Sequence, residues 1–463
     1  MTAYYLLAMA VLTVAGFFVA RTRAVSVAGG RPSVLHSLPQ YHGLYASVLV
    51  LASMMALLAL GEPLINWLAQ AAALKGLPAD VTGDAMRSQA VLRDIANVVS
   101  GSFSGADKPE LAAAAEAYSH VKTIGSWGLL VAGLALGAGA LMFGSSRVSR
   151  SFRARNAFER AVEIILMACA AIAILTTVGI LFSLIGETYR FFFDPSIKGK
   201  PGVLDFLFGT DWNPQAAMRA DQGNFSTAYG FVPLLTGTLL ITMIALLVAG
   251  PLGLFSAIYL AEYASPKTRA IFKPVLEILA GIPTVVLGFF AALTVAPYIR
   301  GWGEYFGLDI ASESALAAGL VMGMMIIPFI SSLSDDVINA VPQSMRDGAY
   351  ALGATKSEAI KQVVLPAALP GIVAAFMLAI SRAIGETMIV VMAAGLAANL
   401  TFNPLEAVTT ITVQIKTILV GDQEFDSAKT LAAFALGFVL FFITLALNFI
   451  ALKVVRRYRE QYE

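Results

Sequence analysis

Little of this 463-residue chain is charged, and very little of it suits metal or thiol chemistry. Charged residues make up 13% against 58% hydrophobic, where a soluble domain carries about a quarter charged. That balance excludes a soluble protein and leaves a polytopic membrane protein. Cysteine occurs once, at Cys169 in an apolar run, so no disulfide forms within the chain. A thiol-based or cysteine-ligated site is not expected there, and the side chain reads as a buried small hydrophobe. His36, His42 and His120 are scattered over segments on opposite sides of the expected membrane, so no metal site is expected. A GxxxxGKS/T loop is missing too. The nearest fragment, Gly199-Lys200, runs into Pro201, so ATP is not held by that route and no cofactor is expected in this chain. No cluster of His, Asp or Ser at one membrane face offers a catalytic set, so the chain is not read as an enzyme. Internal repeats and low-complexity linkers are likewise not found.

Long apolar runs are plentiful. Nine are of the length that crosses a hydrocarbon core of about 30 Å: 3–20, 44–60, 125–143, 161–185, 232–260, 270–297, 315–332, 369–396 and 431–453. The fold class is therefore all-α. With the N-terminus outside, the inward segments carry Arg21, Arg23 and Arg31, then Arg147, Arg150, Arg153, Arg155 and Arg160, then Lys267, Arg269 and Lys273, and finally Lys453, Arg456, Arg457 and Arg459. All clusters fall on one side, as the positive-inside bias requires, which places the N-terminus out and the C-terminus in the cytoplasm. The run RVSRSFRARNAFER thus reads as a topology anchor on anionic membrane lipid and not as a nucleic-acid site. The first span has no basic residue before its apolar core and has Arg21 and Arg23 after it, the reverse of a signal peptide's polarity.

The outward segments are longer and less basic. In 61–124, Glu62, Asp80, Asp84, Asp94, Asp107, Glu110 and Glu116 face Lys75, Arg87, Arg93, Lys108 and Lys122, and LAAAAEAYSHVKTI predicts helix. In 186–230, YRFFFDP and DFLFGTDWNP are aromatic-rich pieces suited to a membrane interface. Within the sixth run, Glu277 is expected near the inner face beside Lys273, and Gly281 and Pro283 are candidates for a helix break. Asp335 and Asp336 are expected to mark the inner end of the seventh.

Between the seventh and eighth spans the chain has signals for two short helices. Pro342 suits a first turn, QSMRDGAYAL continues it, and Gly353 supplies a left-handed stop. Thr355 opens the second helix with Glu358 completing a capping box, and Pro366 and Pro370 are expected to close it. The product is an elbow with Ala349, Tyr350 and Leu352 partly outward, shaped for a partner's groove. In the eighth span, Arg382 and Glu386 are four residues apart, on one face of a continuous helix. Counting from Pro370, Arg382 lies about 18 Å along, near mid-bilayer. An arginine there needs a partner or a watery path, and Glu386 is the obvious partner. The guanidinium fork suits a tetrahedral oxyanion, and a nearby carboxylate favours protonated phosphate over sulfate. Ser381 and Thr387 flank the pair as further pathway candidates or as packing elements.

DGAYALGATKSEAIKQVVLP resembles the EAA motif of binding-protein-dependent ABC importer permeases, the coupling region that sits in a cleft of the ATPase. Asp347, Gly348 and Ala349 stand at the E-A-A positions, Gly353 at the glycine, Val363 at the isoleucine, with Leu365 and Pro366 after it. Asp for Glu and Gly for Ala depart from the motif, and Gly348 weakens its helix by up to about 1 kcal/mol. SRAIGETM and DFLFGTDWNP resemble the RAxGET and FLFGTxWNP signatures of the Pst phosphate importer permeases, and the likeness extends over about 161–453. Met388 after GET points to the PstC-type of the two permeases rather than the PstA-type. The resemblance implies a six-span, type I (MetI-like) permease core at 161–463 with its coupling region at 344–366, preceded by a three-span extension at 1–160 that bears the outer loop 61–124. It also implies an ABC ATPase dimer (PstB-type) that binds the ATP, a second, PstA-type permease, a periplasmic phosphate-binding protein (PstS-type), and a bacterial inner membrane. Phosphate import by alternating access, with Arg382, Glu386, Ser381 and Thr387 along the path, is the function implied. A sulfate or molybdate permease, which shares a similar RALGE segment, and an ion-coupled secondary transporter using Glu386 or Glu277 are the alternatives.

Overall fold

The computed structural model describes residues 1–463 except 76, 78–84, 100–108, 198, 215–227, 421–426 and 460–463. Of the acidic and basic residues of the first outer segment, Asp80, Asp84, Asp107 and Lys108 lie outside the described residues. Helices follow one another throughout, because apolar backbone in lipid must satisfy its own hydrogen bonds. Nine of those described are long and apolar enough to cross a membrane. The chain divides into two compact units, Met1–Thr176 and Thr177–Glu463.

The first unit contains α1 (Thr2–Val27), α2 (Pro39–Leu74), α3 (Ala85–Val99), α4 (Pro109–Ser146) and the first part of α5 (Ala154–Phe193). On α5, Cys169 is exposed and not buried as expected, its apolar surroundings being those of a membrane-length helix. The alanine-rich run of the outer segment is helical as expected and continues without interruption into the third span. Small residues bring α1, α2 and α4 together. A cluster of Ala20, Ala24, Ala28, Leu35, Ala46 and Val148 is fully or nearly buried, and a Cβ on Gly144 would press on Ala46. Backbones approach closely at such positions, which is how helices associate where lipid and side chains are equally apolar. Tyr5 anchors the opposite cluster with Met9, Val50, Met54, Ile65 and Leu129, its hydroxyl donating to the Met54 carbonyl at 2.7 Å.

The second unit begins in α5 and continues through α6 (Val203–Phe208) and α7 (Val232–Ile258), which ends in a π turn, Tyr259–Tyr263. An amphipathic helix follows, α8 (Pro266–Ala280), capped by Ser265. The sixth run does break at Gly281 and Pro283, so its membrane-length stretch is Thr284–Tyr305 and not 270–297. That stretch comprises α9 (Thr284–Phe290), a π turn and α10 (Ala296–Tyr305). Next come α11 (Ala315–Ala340), α12 (Gln343–Ala351), α13 (Lys356–Ala359), α14 (Leu365–Ile384), α15 (Met388–Ala393), α16 (Ile411–Leu419) and α17 (Ala428–Arg459). The α7 and α11 helices pack along their lengths around a core that includes Ile241, Ala245, Met322, Ile326 and Ile330. Their approach is so close that a Cβ on Gly319 would lie 2.6 Å from Ile244.

The aromatic outer pieces do not simply lie at an interface. Phe191, Phe206, Trp212, Tyr229 and Phe231 form a buried cluster with Leu234, Ile411 and Leu431, whereas Leu204 and Phe208 are exposed. Burial pushes the Tyr229 hydroxyl up to about 12.

In the first unit, Gly133→Leu would drive a side chain into the Tyr5 ring. Overpacking of that kind costs about 1–3 kcal/mol. A lowered thermal midpoint of the detergent-solubilised protein is the expected result.

Candidate functional site

The elbow forms as its residues dictate. In α12, Asp347 is exposed and accepts from Gln343 at 3.0 Å, and Gly348 has open space around it. Gly353 takes φ +86°, a conformation that costs any other residue heavily, and nothing crowds it. Thr355 and Glu358 make the full capping box. Leu352 stands 92% exposed beside exposed Tyr350 and Met345, which gives the tip an apolar face. Ala349 differs from expectation, being buried under the elbow instead of presented outward.

Pro366 and Pro370 do not close the second helix. A π turn, Ile360–Val364, carries it straight into α14, with the Leu365 N–H bonding to the Ile360 carbonyl. The extra residue in that turn shifts the hydrogen-bond register ahead of Pro366, so the missing proline N–H falls where α14 begins. Val363, Leu365 and Pro366 are half-buried, while neighbouring Ile360 and Val364 are buried, Val364 among Ala257, Ile338, Ala368 and Ile372.

Two ionic groupings near the elbow were not anticipated as interactions. Arg346 is buried, and its Nη2 and Nε donate to Glu262 at 2.9 and 3.0 Å. The same guanidinium donates to the Val341 and Ile338 carbonyls at 2.6 and 2.8 Å, which closes off the end of α11. Asp335, 1% exposed, accepts from Arg269 at 2.8 Å, Lys273 at 3.0 Å and the Asn339 amide at 2.8 Å. It therefore does more than mark a helix end, since it ties α8 to α11. The Asp336 carboxylate, hydrogen-bonded to Lys273 with Asp335 beside it, holds that ammonium above the ordinary lysine range. Lys273 is thus engaged by Asp335 and Asp336, and Glu277 is exposed on α8. The pattern of a charged residue within an otherwise apolar helix end signals such pairs, but sequence does not say which residues meet.

Arg382 and Glu386 are not one helical pair. The helical run Lys356–Ile384 ends before Glu386, with Arg382 in its last turn and Gly385 as its cap. Glu386 Oε1 instead accepts from the Met388 and Ile389 N–H groups at 2.9 and 3.2 Å, starting α15. Two free backbone donors at a break outcompete a distant guanidinium for the carboxylate. Arg382 is exposed on this chain's surface, its guanidinium 5.7 Å from the centre of the Phe329 ring. Ser381 donates to Asn448 at 3.4 Å, and the Thr387 hydroxyl donates to the Gly385 carbonyl at 3.5 Å.

The segment after the break is irregular yet well satisfied. Thr412 donates to the Glu386 carbonyl at 2.8 Å, and the Ile411 N–H donates to Thr238 on α7 at 3.2 Å. Gln414 is the central connector: it donates to the Leu396 carbonyl at 2.9 Å and accepts from the Trp212 indole at 3.0 Å. The outer motif is thereby seated on α16, beside a cavity of about 380 Å³ reached by Asn213, Leu396, Thr417 and Lys429.

Known proteins match this arrangement in sequence. Residues 249–460 match the family described as binding-protein-dependent transport system inner membrane component. Residues 6–176 match one described as phosphate ATP-binding cassette transporter, a stretch that includes the first three spans. A probable ABC transporter permease protein of Bacillus subtilis, YqgH, is 31% identical over 312 residues, 67% of this chain and 94% of that one. Phosphate transport system permease protein PstC 1 of Mycobacterium tuberculosis is 33% identical over 283 residues, covering 55% of this chain and 82% of the relative. Among solved structures, a bacterial ABC transporter involved in import of the acidic polysaccharide alginate aligns at TM-score 0.45 and 16% identity, over 66% of this chain and 99% of that one. The MetNI methionine ABC transporter in an inward-facing form aligns at TM-score 0.37 and 19% identity, over 50% and 94%. The chain belongs to the binding-protein-dependent transport permeases of the ABC class and, within them, to the PstC-type family. It is a multi-pass protein of the inner membrane.

Replacing Asp335 by Asn removes the charge that two cations share in a buried place. A loss of about 2–3 kcal/mol is expected, seen as a lowered unfolding midpoint of the purified complex.

Proposed function

We propose that this chain is the permease subunit of an ATP-driven phosphate importer and forms the translocation path together with a second, PstA-type permease. The observation that carries this reading is the elbow: an exposed apolar tip at Leu352, set by the left-handed Gly353 and the Thr355–Glu358 box, at the spacing of the coupling motif. Such a tip suits the cleft of a PstB-type ATPase dimer, which supplies the ATP hydrolysis, while a PstS-type binding protein delivers phosphate from outside. The chain itself performs no covalent chemistry, and its N-terminus lies outside with the C-terminus in the cytoplasm. The names of the relatives support phosphate as the cargo, as does the FLFGT-WNP segment folded onto Gln414.

Asp347, Gly348, Ala349, Gly353, Val363, Leu365 and Pro366 form the coupling region in this reading, with Ala349 as its buried foot and Asp347 and Gly348 as its outward surface. Arg382, with Ser381 beside it, is presented at the end of a membrane helix on an exposed face, where a second permease would complete the path. An exposed guanidinium is suited to hold a tetrahedral anion by two oxygens. Glu386 and Thr387 shape the break next to it. Since Glu386 already accepts two backbone N–H groups, the argument that it selects protonated phosphate has no support in the geometry.

Uptake into vesicles bearing the assembled complex, with phosphate competed by sulfate and molybdate, tests the cargo; equal inhibition by sulfate would overturn the phosphate reading. Arg382→Ala is expected to abolish uptake in a complex that still assembles, and wild-type uptake would remove it from the path. Gly353→Val forces about 1–2 kcal/mol of left-handed strain into the elbow. Reduced co-purification of the ATPase with normal membrane insertion is the expected outcome.

A further inference from the structure

We propose that the buried Arg346–Glu262 pair is the joint through which the elbow drives the membrane helices. The inference rests on the coupling role proposed above and assigns its transmission to two residues that lie outside the motif. A short exposed helix such as α12 moves nothing unless it is fastened to what must move. Its link to α11 is covalent, through Pro342. Its link to α7 is not. There the Glu262 carboxylate, in the π turn that ends α7, is held by Arg346 Nη2 at 2.9 Å and Nε at 3.0 Å. The same guanidinium holds the Ile338 and Val341 carbonyls at the end of α11. One side chain on the elbow therefore grips the ends of both helices that make the core of the second unit.

The energetics favour a positioning role over simple stabilisation. The side chains of Arg346 and Glu262 are 10% and 7% exposed. Burying two such charges costs several kcal/mol each, and apolar packing of similar volume does as well or better for stability. What an ion pair adds is direction: a fixed fork that keeps α12 in one orientation to α7. Beside the pair lies a polar cavity of about 370 Å³, lined by Glu262, Asn339, Gln343, Arg346, Tyr350 and Lys356. Arg346 thus has polar neighbours to turn among without losing every partner. Lys356, whose ammonium sits 4.8 Å from the centre of the Tyr263 ring, bridges the same seam from the second arm of the elbow. Both arms meet the membrane helices at π turns, Tyr259–Tyr263 and Ile360–Val364, where the helical register is already interrupted.

The test uses the assembled transporter in proteoliposomes, with phosphate uptake and ATP hydrolysis measured on the same preparation. Arg346→Met and Glu262→Gln are each expected to lower the phosphate moved per ATP by about tenfold, in the range of ordinary coupling energies. The double variant should be no worse than the poorer single one, because the two act as a unit. A second readout does not depend on the cargo. Nitroxide labels at Ser344→Cys on the elbow and Leu239→Cys on α7, with Cys169→Ala, should show a distance change on adding ATP that Arg346→Met abolishes. Uptake and hydrolysis falling in proportion, with their ratio and the distance change intact, would mean a merely structural pair and overturn the proposal. Wild-type values in both variants would overturn it as well. If Arg346→Met does not assemble, Glu262→Gln, which keeps shape and an acceptor oxygen, decides by the same two readouts. A wild-type complex that changes distance with ATP yet moves no phosphate would sink the cargo reading and leave the joint standing.

Discussion

Lipid offers no hydrogen-bond partners, and nearly every feature of the second unit follows from that constraint. A continuous helix meets it by itself, but a transport protein that breaks its helices must supply partners for each freed group. Here the supply is visible residue by residue. Glu386 takes two N–H groups where the helix stops. Thr238, Thr412 and Gln414 take or give the bonds of the irregular return that leads to α16. At the other end, Arg346 answers the last carbonyls of α11. These polar side chains serve the places where regular backbone ends.

The same constraint explains why charges are gathered at the elbow end and paired there. Asp335 is nearly inaccessible to solvent, a costly position for a lone carboxylate, and it collects Arg269 and Lys273 from the amphipathic α8. That helix is consequently held across the end of α11 by its basic face. Among the described residues of the first unit, small side chains take the place of such a network at the helix crossings. Alanine and glycine at the crossings of α1, α2 and α4 let backbones approach closely enough for dispersion to hold them, with the Tyr5 and Ser47 hydroxyls adding hydrogen bonds to backbone carbonyls between α1 and α2.

The glycine stop and the capping box of the elbow were legible, because they depend on residues within a few positions of each other, whereas the burial of Ala349 depends on what lies beneath the elbow. The prolines at 366 and 370 misled for an identifiable reason. A proline rule assumes an α register; the π turn before Pro366 places that proline in the first turn of α14, and Pro370 is accommodated inside the same helix. The pairing of Arg382 with Glu386 failed similarly, because it presumed that a helix continuing by apolar content continues in fact. The carboxylate stayed with the nearest backbone donors. Arg346 and Glu262 went unnoticed because they lie more than eighty residues apart, and nothing local distinguishes a buried arginine from a solvated one.

Composition and periodicity alone settled that this is an all-helical membrane protein with nine apolar spans, and local motifs settled where its chain turns and caps. Those properties arise from interactions between near neighbours and from transfer of side chains out of water, both of which a sequence carries directly. Tertiary structure alone decided which charges meet, which helices stop short and which polar side chains serve the freed backbone. Such choices depend on the distances between segments far apart in the chain, and a strong hydrogen bond forms only within about 3 Å.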